Sequence, residues 1–149
     1  VKLVREHIIL EKFIEDSDPI SDMGIGMIEK TNRFLEDNEI NFKFDDIKIL
    51  DPRDKRGLIE SLLSMQEYDI LEFLLEQSLI DFNDVALFAD NYGIPLRNAA
   101  YKQDWKTCKF LVDHGIDLEK TITSAKKHES FWTLKRLLEF KEMLEKNQI

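Results

Sequence analysis

The sequence predicts a mainly α-helical fold assembled from short paired helices. Three observations lead there. Five Gly and three Pro in 149 residues leave little material for the many tight turns of an all-β chain. Apolar residues recur at three- and four-residue spacing along most of the chain, the period of a one-sided helix. The segments marked in this way are short, and helices of so few turns are marginal alone and need neighbours to pack on. A composition of 43% hydrophobic and 34% charged residues belongs to a globular chain able to enclose a core.

Taken in order, residues 1–15 carry Leu3, Val4, Ile8, Leu10, Phe13 and Ile14 on one side of a helix. Asp18-Pro19 ends it, because the residue before a proline is pushed out of the helical region. "SDMGIGM" follows, with Gly24 and Gly26 in an expected turn. Neither a third Gly at the dinucleotide spacing nor a Gly-Lys-Ser/Thr accompanies them, so a phosphate loop is not indicated. Residues 27–37 form a second helix, with Ile28, Thr31, Phe34 and Leu35 on one side.

A short β-hairpin is expected near residues 40–50. Ile40, Phe42 and Phe44 alternate with polar residues, as do Ile47 and Ile49, on either side of Asp45-Asp46. The remainder reads as helices over 55–65, 68–77, 83–90, 96–103, 105–113, 122–128 and 131–146. The expected organisation is a helical extension with a Gly-containing turn over 1–26, then a repeat domain over 27–149.

The repeat is clearest in "YGIPLRNAAYKQDWKTCKFLVDHGIDLE", residues 92–119. Ile94-Pro95-Leu96, Ala99-Ala100, Lys109-Phe110-Leu111-Val112 and His114-Gly115-Ile116-Asp117-Leu118 occur in that order. This stretch resembles an ankyrin repeat, matching its Thr-Pro-Leu, Ala-Ala, Lys-Leu-Leu-Leu and His-Gly-Ala-Asp-Val positions. Pro95 suits the first turn of a helix. Gly115 suits the left-handed residue that closes one. Arg97 stands at the family's His and is expected to remove one bond between repeats. Gln103 stands at a usual Gly and is expected to strain its turn.

Fainter copies flank this unit. Leu62-Leu63 stands for Ala99-Ala100, Ser78 for Gly115, and Leu74 for Leu111 at a shift of 37 residues (111 − 74). Downstream, Ile122, Ala125 and residues 133–138 repeat the pattern at a shift of 26. Residues 28–41 form the most degenerate copy, with Asn38 in the Gly place. The resemblance implies a non-catalytic module whose concave repeat surface holds a protein partner. Separately, "KLVREHIILEKF" and "EDSDPISDMGIG" are similar to leader-like segments of small proteins from large phages and related viruses. That likeness implies a second reading, a structural or virion-associated protein docked through its N-terminal segment.

The net charge of −9 disfavours nucleic acid and anionic membranes as partners and favours basic ones. The basic clusters, Arg53-Asp54-Lys55-Arg56 and Lys126-Lys127, are short. One cysteine, Cys108, permits no internal disulfide and fits a reducing, cytoplasmic setting. It reads as a small buried hydrophobe. His7 and His128 are isolated in sequence, and His114 belongs to the repeat pattern. No catalytic set, metal site or cofactor motif is indicated. The candidate protein-contact residues are Tyr92, Arg97, Tyr101, Trp105 and Trp132.

Overall fold

In a computed structural model, residues 22–83 and 92–149 are described. The chain divides into two compact units, Val1–Lys48 and Ile49–Ile149. The expected helix over residues 1–15, and most of that over 83–90, lie outside the described residues; Asn83 itself is in a turn.

The first unit contains helix α1, Asp22–Asp37. It begins five residues before the expected start and takes in Gly24 and Gly26, so the Gly-x-Gly pair is helical and not a turn. No atom lies within 4 Å of where a Gly26 side chain would begin, so no close approach demands a glycine there. Thr31, Phe34 and Leu35 bury the inner face of α1. That face carries the helix through two residues of poor propensity, each costing about 1 kcal/mol relative to Ala.

The expected hairpin does not form, and no strand occurs among the described residues. Its second half is a 3-10 helix, Phe44–Ile49. Local side-chain bonds capture the backbone instead. Asp46 Oδ2 accepts from Lys43 N–H at 3.0 Å, and Asn32 Oδ1 on α1 accepts from Phe44 N–H at 2.7 Å. Ile47 is fully buried while Ile49 is 75% exposed. Two residues apart on a strand they would share a face; on this turn they part.

The second unit contains six α-helices among its described residues. They are α2 (Pro52–Ser64), α3 (Tyr68–Glu76), α4 (Ile94–Tyr101), α5 (Trp105–Asp113), α6 (Leu118–Lys127) and α7 (Phe131–Glu145). They pack as three hairpins: α2 with α3, α4 with α5, and α6 with α7. Helix α4 also lies against α6 and α7 of the following hairpin.

One register runs through the hairpins. Leu58, Ile59, Leu62 and Leu63 are buried on α2, and Pro95, Leu96, Ala99 and Ala100 are buried on α4, each 37 residues later. Ile70, Leu71, Phe73 and Leu74 of α3 correspond at the same shift to Thr107, Cys108, Phe110 and Leu111 of α5, all buried. A further 26 residues on, Thr121, Ile122 and Ala125 are buried in α6, and Leu137 in α7. Large Leu62-Leu63 exchange for small Ala99-Ala100, so volume varies between copies while the inward direction does not.

Every described α-helix closes in the same way. The residue two past its end has positive φ, and the two crossed backbone bonds of a Schellman turn are present. In α2, Gln66 N–H donates to Leu63 O and Glu67 N–H to Leu62 O. Six of the seven left-handed residues are not glycine: Glu39, Gln66, Ser78, Gln103, Glu129 and Asn147. Gly115 is the seventh, at φ 107°. Gln103, at φ 59°, takes the strained conformation expected of it. After α1 the left-handed residue is Glu39 and not Asn38, one position later than the sequence suggested.

Three helix starts, those of α2, α5 and α6, are fixed by acid caps. Asp51, Asp104 and Asp117 each accept the N–H of the residue three positions on. Such a cap contributes about 1 kcal/mol. Pro95 sits in the first turn of α4, as its missing N–H allows.

Candidate functional site

The turns inside the three hairpins fall along one edge of the second unit. Gln66, closing α2, donates to both carboxylate oxygens of Asp104 at 3.2 and 3.3 Å. Asp104 caps α5 and also accepts from the Thr107 hydroxyl at 2.7 Å. Thr107 Oγ1 lies 2.6 Å from the Tyr68 hydroxyl at the start of α3. Burial raises the Tyr68 phenol above its ordinary pKa, and the bond to Thr107 opposes that rise. This network joins the first two hairpins through their turns. Its polar members were not singled out in the sequence; the Thr of "DWKT", three residues after a capping Asp, was the available signal.

The second and third hairpins are joined on the same edge by Arg97. Its Nη2 donates to Ser130 Oγ at 2.9 Å, immediately before α7. Arg97 therefore supplies a long-range link where the sequence suggested that one was lost. It is half-buried, and desolvation lowers its pKa.

The expected contact residues separate into two groups. Tyr92, Arg97 and Trp105 are engaged in packing. The Tyr92 hydroxyl donates to Asn83 Oδ1 and accepts from Asp117 N–H at 2.9 Å, while Lys120 Nζ lies 4.6 Å from its ring centroid. Asn83 in turn donates to Gly115 O at 2.7 Å. Tyr92 thus fastens the loops around α5 at the edge opposite the hairpin turns. Trp105 lies parallel to the buried Phe140 of α7, with ring centroids 6.2 Å apart and an interplanar angle of 5°.

Tyr101 and Trp132 form the other group. Tyr101 is 63% exposed and Trp132 65%. Phe131, the first residue of α7, is 71% exposed. Tyr101 follows Arg97 by one helical turn, and Arg97 reaches the residue before Phe131. The Arg97–Ser130 bond thus ties the helix that ends in Tyr101 to the start of the helix that begins with Phe131 and Trp132, and all three rings are exposed. The adjacency of Phe131 and Trp132 was the signal for the third ring. Neighbouring side chains diverge by about 100° on a helix, and the inward stripe of α7 is set by Leu137 and Phe140.

Cys108 and His114 have structural roles, while His7 lies outside the described residues. Cys108 is fully buried, and burial pushes its thiol up to about 12. His114 caps α5, its Nδ1 2.7 Å from Phe110 O and its ring stacked on Phe110 at 4.1 Å. Among the described residues no cluster of three His, Cys, Asp or Glu is placed to hold a metal ion. No described helix is long and apolar enough to cross a membrane.

No family model, curated protein or solved structure matches this chain.

Proposed function

We propose that the chain is a non-catalytic protein-interaction module in which ankyrin-like helix hairpins present a partner-binding surface. The observation that carries the reading is that Tyr101, Phe131 and Trp132 are exposed on a scaffold whose buried positions repeat one register. Repeat stacks bind through side chains displayed at fixed intervals on a stiff support. Tyr and Trp are the commonest anchors at protein interfaces, because they offer large contact area with few rotatable bonds. Arg97 and Trp105 support that surface from within, and Tyr92 fastens loops on the opposite edge, so these three serve the scaffold instead of meeting the partner.

The test is affinity capture from a lysate of the source organism, quantified by mass spectrometry. Full-length chain is compared with Tyr101→Ala/Trp132→Ala and with a chain lacking residues 1–21. Recovery of a partner should fall about tenfold or more with the double variant. Recovery that is unchanged in the double variant and lost on truncation would favour the reading of a structural protein docked by its N-terminal segment.

A further inference from the structure

We infer that the ligand of this edge is an acidic peptide segment carrying an apolar anchor, an inference that rests on the interaction reading above. Lysines lie within six residues of each of Tyr101, Phe131 and Trp132 along the chain, and one of them, Lys135, approaches the Trp132 ring. Lys126 and Lys127 are exposed at the end of α6, just before the turn into α7. Lys102 is exposed immediately after Tyr101. Lys135 Nζ lies 5.3 Å from the Trp132 ring centroid, one turn along α7. Glu129, in the α6–α7 turn, is an acid among them.

This local sign is opposite to that of the chain, whose net charge is −9. At physiological ionic strength charges are screened over about 8 Å, so a bound segment senses the nearest lysines and little of the distant carboxylates. Aromatic side chains bury the anchor, and lysine ammonium groups select carboxylates around it. Lysines beside Trp and Phe would also suit an anionic membrane. A membrane presents an extended negative sheet to a whole flank of the molecule, however, and an acidic chain is repelled from it. A short peptide meets only the edge.

The test displays a random twelve-residue peptide library to the full chain and counter-screens against Trp132→Ala and Lys126→Glu/Lys127→Glu. Both variants change exposed side chains and leave the buried register intact. Enriched peptides should be acidic with at least one aromatic or large aliphatic residue. They should bind each variant about tenfold or more weakly. Vesicles with and without phosphatidylserine serve as a parallel probe and should not bind. Basic or neutral peptides that still depend on Trp132 would overturn the acidic ligand and leave the interaction reading standing. Peptides indifferent to both variants, or phosphatidylserine-dependent vesicle binding, would overturn this inference. An absence of any enriched peptide would overturn it too, and would extend to the interaction reading if partner capture were also insensitive to Tyr101→Ala/Trp132→Ala.

Discussion

The middle hairpin, α4–α5, and the last, α6–α7, follow one register but differ in what covers them. Helix α5 buries Thr107, Cys108, Phe110 and Leu111 within nine residues. Helix α7 is longer, fifteen residues, yet buries only Leu137 and Phe140. Phe131, Trp132 and Leu138 of α7 are exposed. Repetition of a register therefore sets which way side chains point, while a neighbouring hairpin decides whether they are covered. A surface can arise on such a scaffold by leaving apolar positions of one copy uncovered, with no change to the backbone plan.

The strongest break in this comparison comes from Cys108. Its thiol is raised from 9.0 to about 12 by burial. In the native chain at neutral pH the thiolate population is about a thousandfold below that of an ordinary cysteine. A thiol reagent should modify Cys108 only as the chain unfolds, with the rate read from the thiol reagent's absorbance. The pH dependence has one sign. The unfolded thiol ionises near 9 and the folded one near 12, so this group's contribution is intact below pH 9 and is lost as the pH rises towards 12.

Leucine truncation sharpens the same contrast. Leu111→Ala in α5 should cost about 2–5 kcal/mol, because a fully buried side chain leaves a cavity. Leu138→Ala in α7, 45% exposed, should stay within about 0.5 kcal/mol. Urea unfolding midpoints report both.

Gly93 probes the joint between the two hairpins. It is left-handed at φ 75°, and a Cβ there would lie under 3.0 Å from three atoms of Thr121 on α6. Gly93→Ala should lose about 2–4 kcal/mol from backbone strain and overpacking together. Thermal unfolding checks it. A smaller effect runs the other way. Gln103 closes α4 in a left-handed conformation, and Gln103→Gly should raise stability by about 0.5–1 kcal/mol, read in the same way.

The described helices of the second unit were legible because inward positions recur at helical spacing and because Pro95, Asp104 and Gly115 mark ends of α4 and α5. Helix α5 begins and ends where the sequence placed it. The segment at 40–50 was not legible. Alternation over five residues is also what a 3-10 turn shows when one isoleucine is covered and the next is not. The deciding contacts, Asn32 to Phe44 and Asp46 to Lys43, belong to polar side chains that carry no periodicity. The same limit applies to the site. Aromatic residues were visible as candidates, but which ring packs and which stays open depends on a neighbour brought from elsewhere in the chain. Trp105 meets Phe140 thirty-five positions on (140 − 105), whereas the ring of Trp132 is approached by Lys135 of its own helix.

The two tryptophans give the most direct test of a repeated core with one open edge. Equilibrium urea unfolding of Trp105→Ala and Trp132→Ala, measured side by side, should separate them. Trp105→Ala should lower stability by about 2 kcal/mol or more, through the lost stack on Phe140. Trp132→Ala should change it by less than about 0.5 kcal/mol, as expected for an exposed side chain. Equal losses from the two variants would mean that Trp132 is part of the core, and would contradict the open edge on which the proposed binding surface depends.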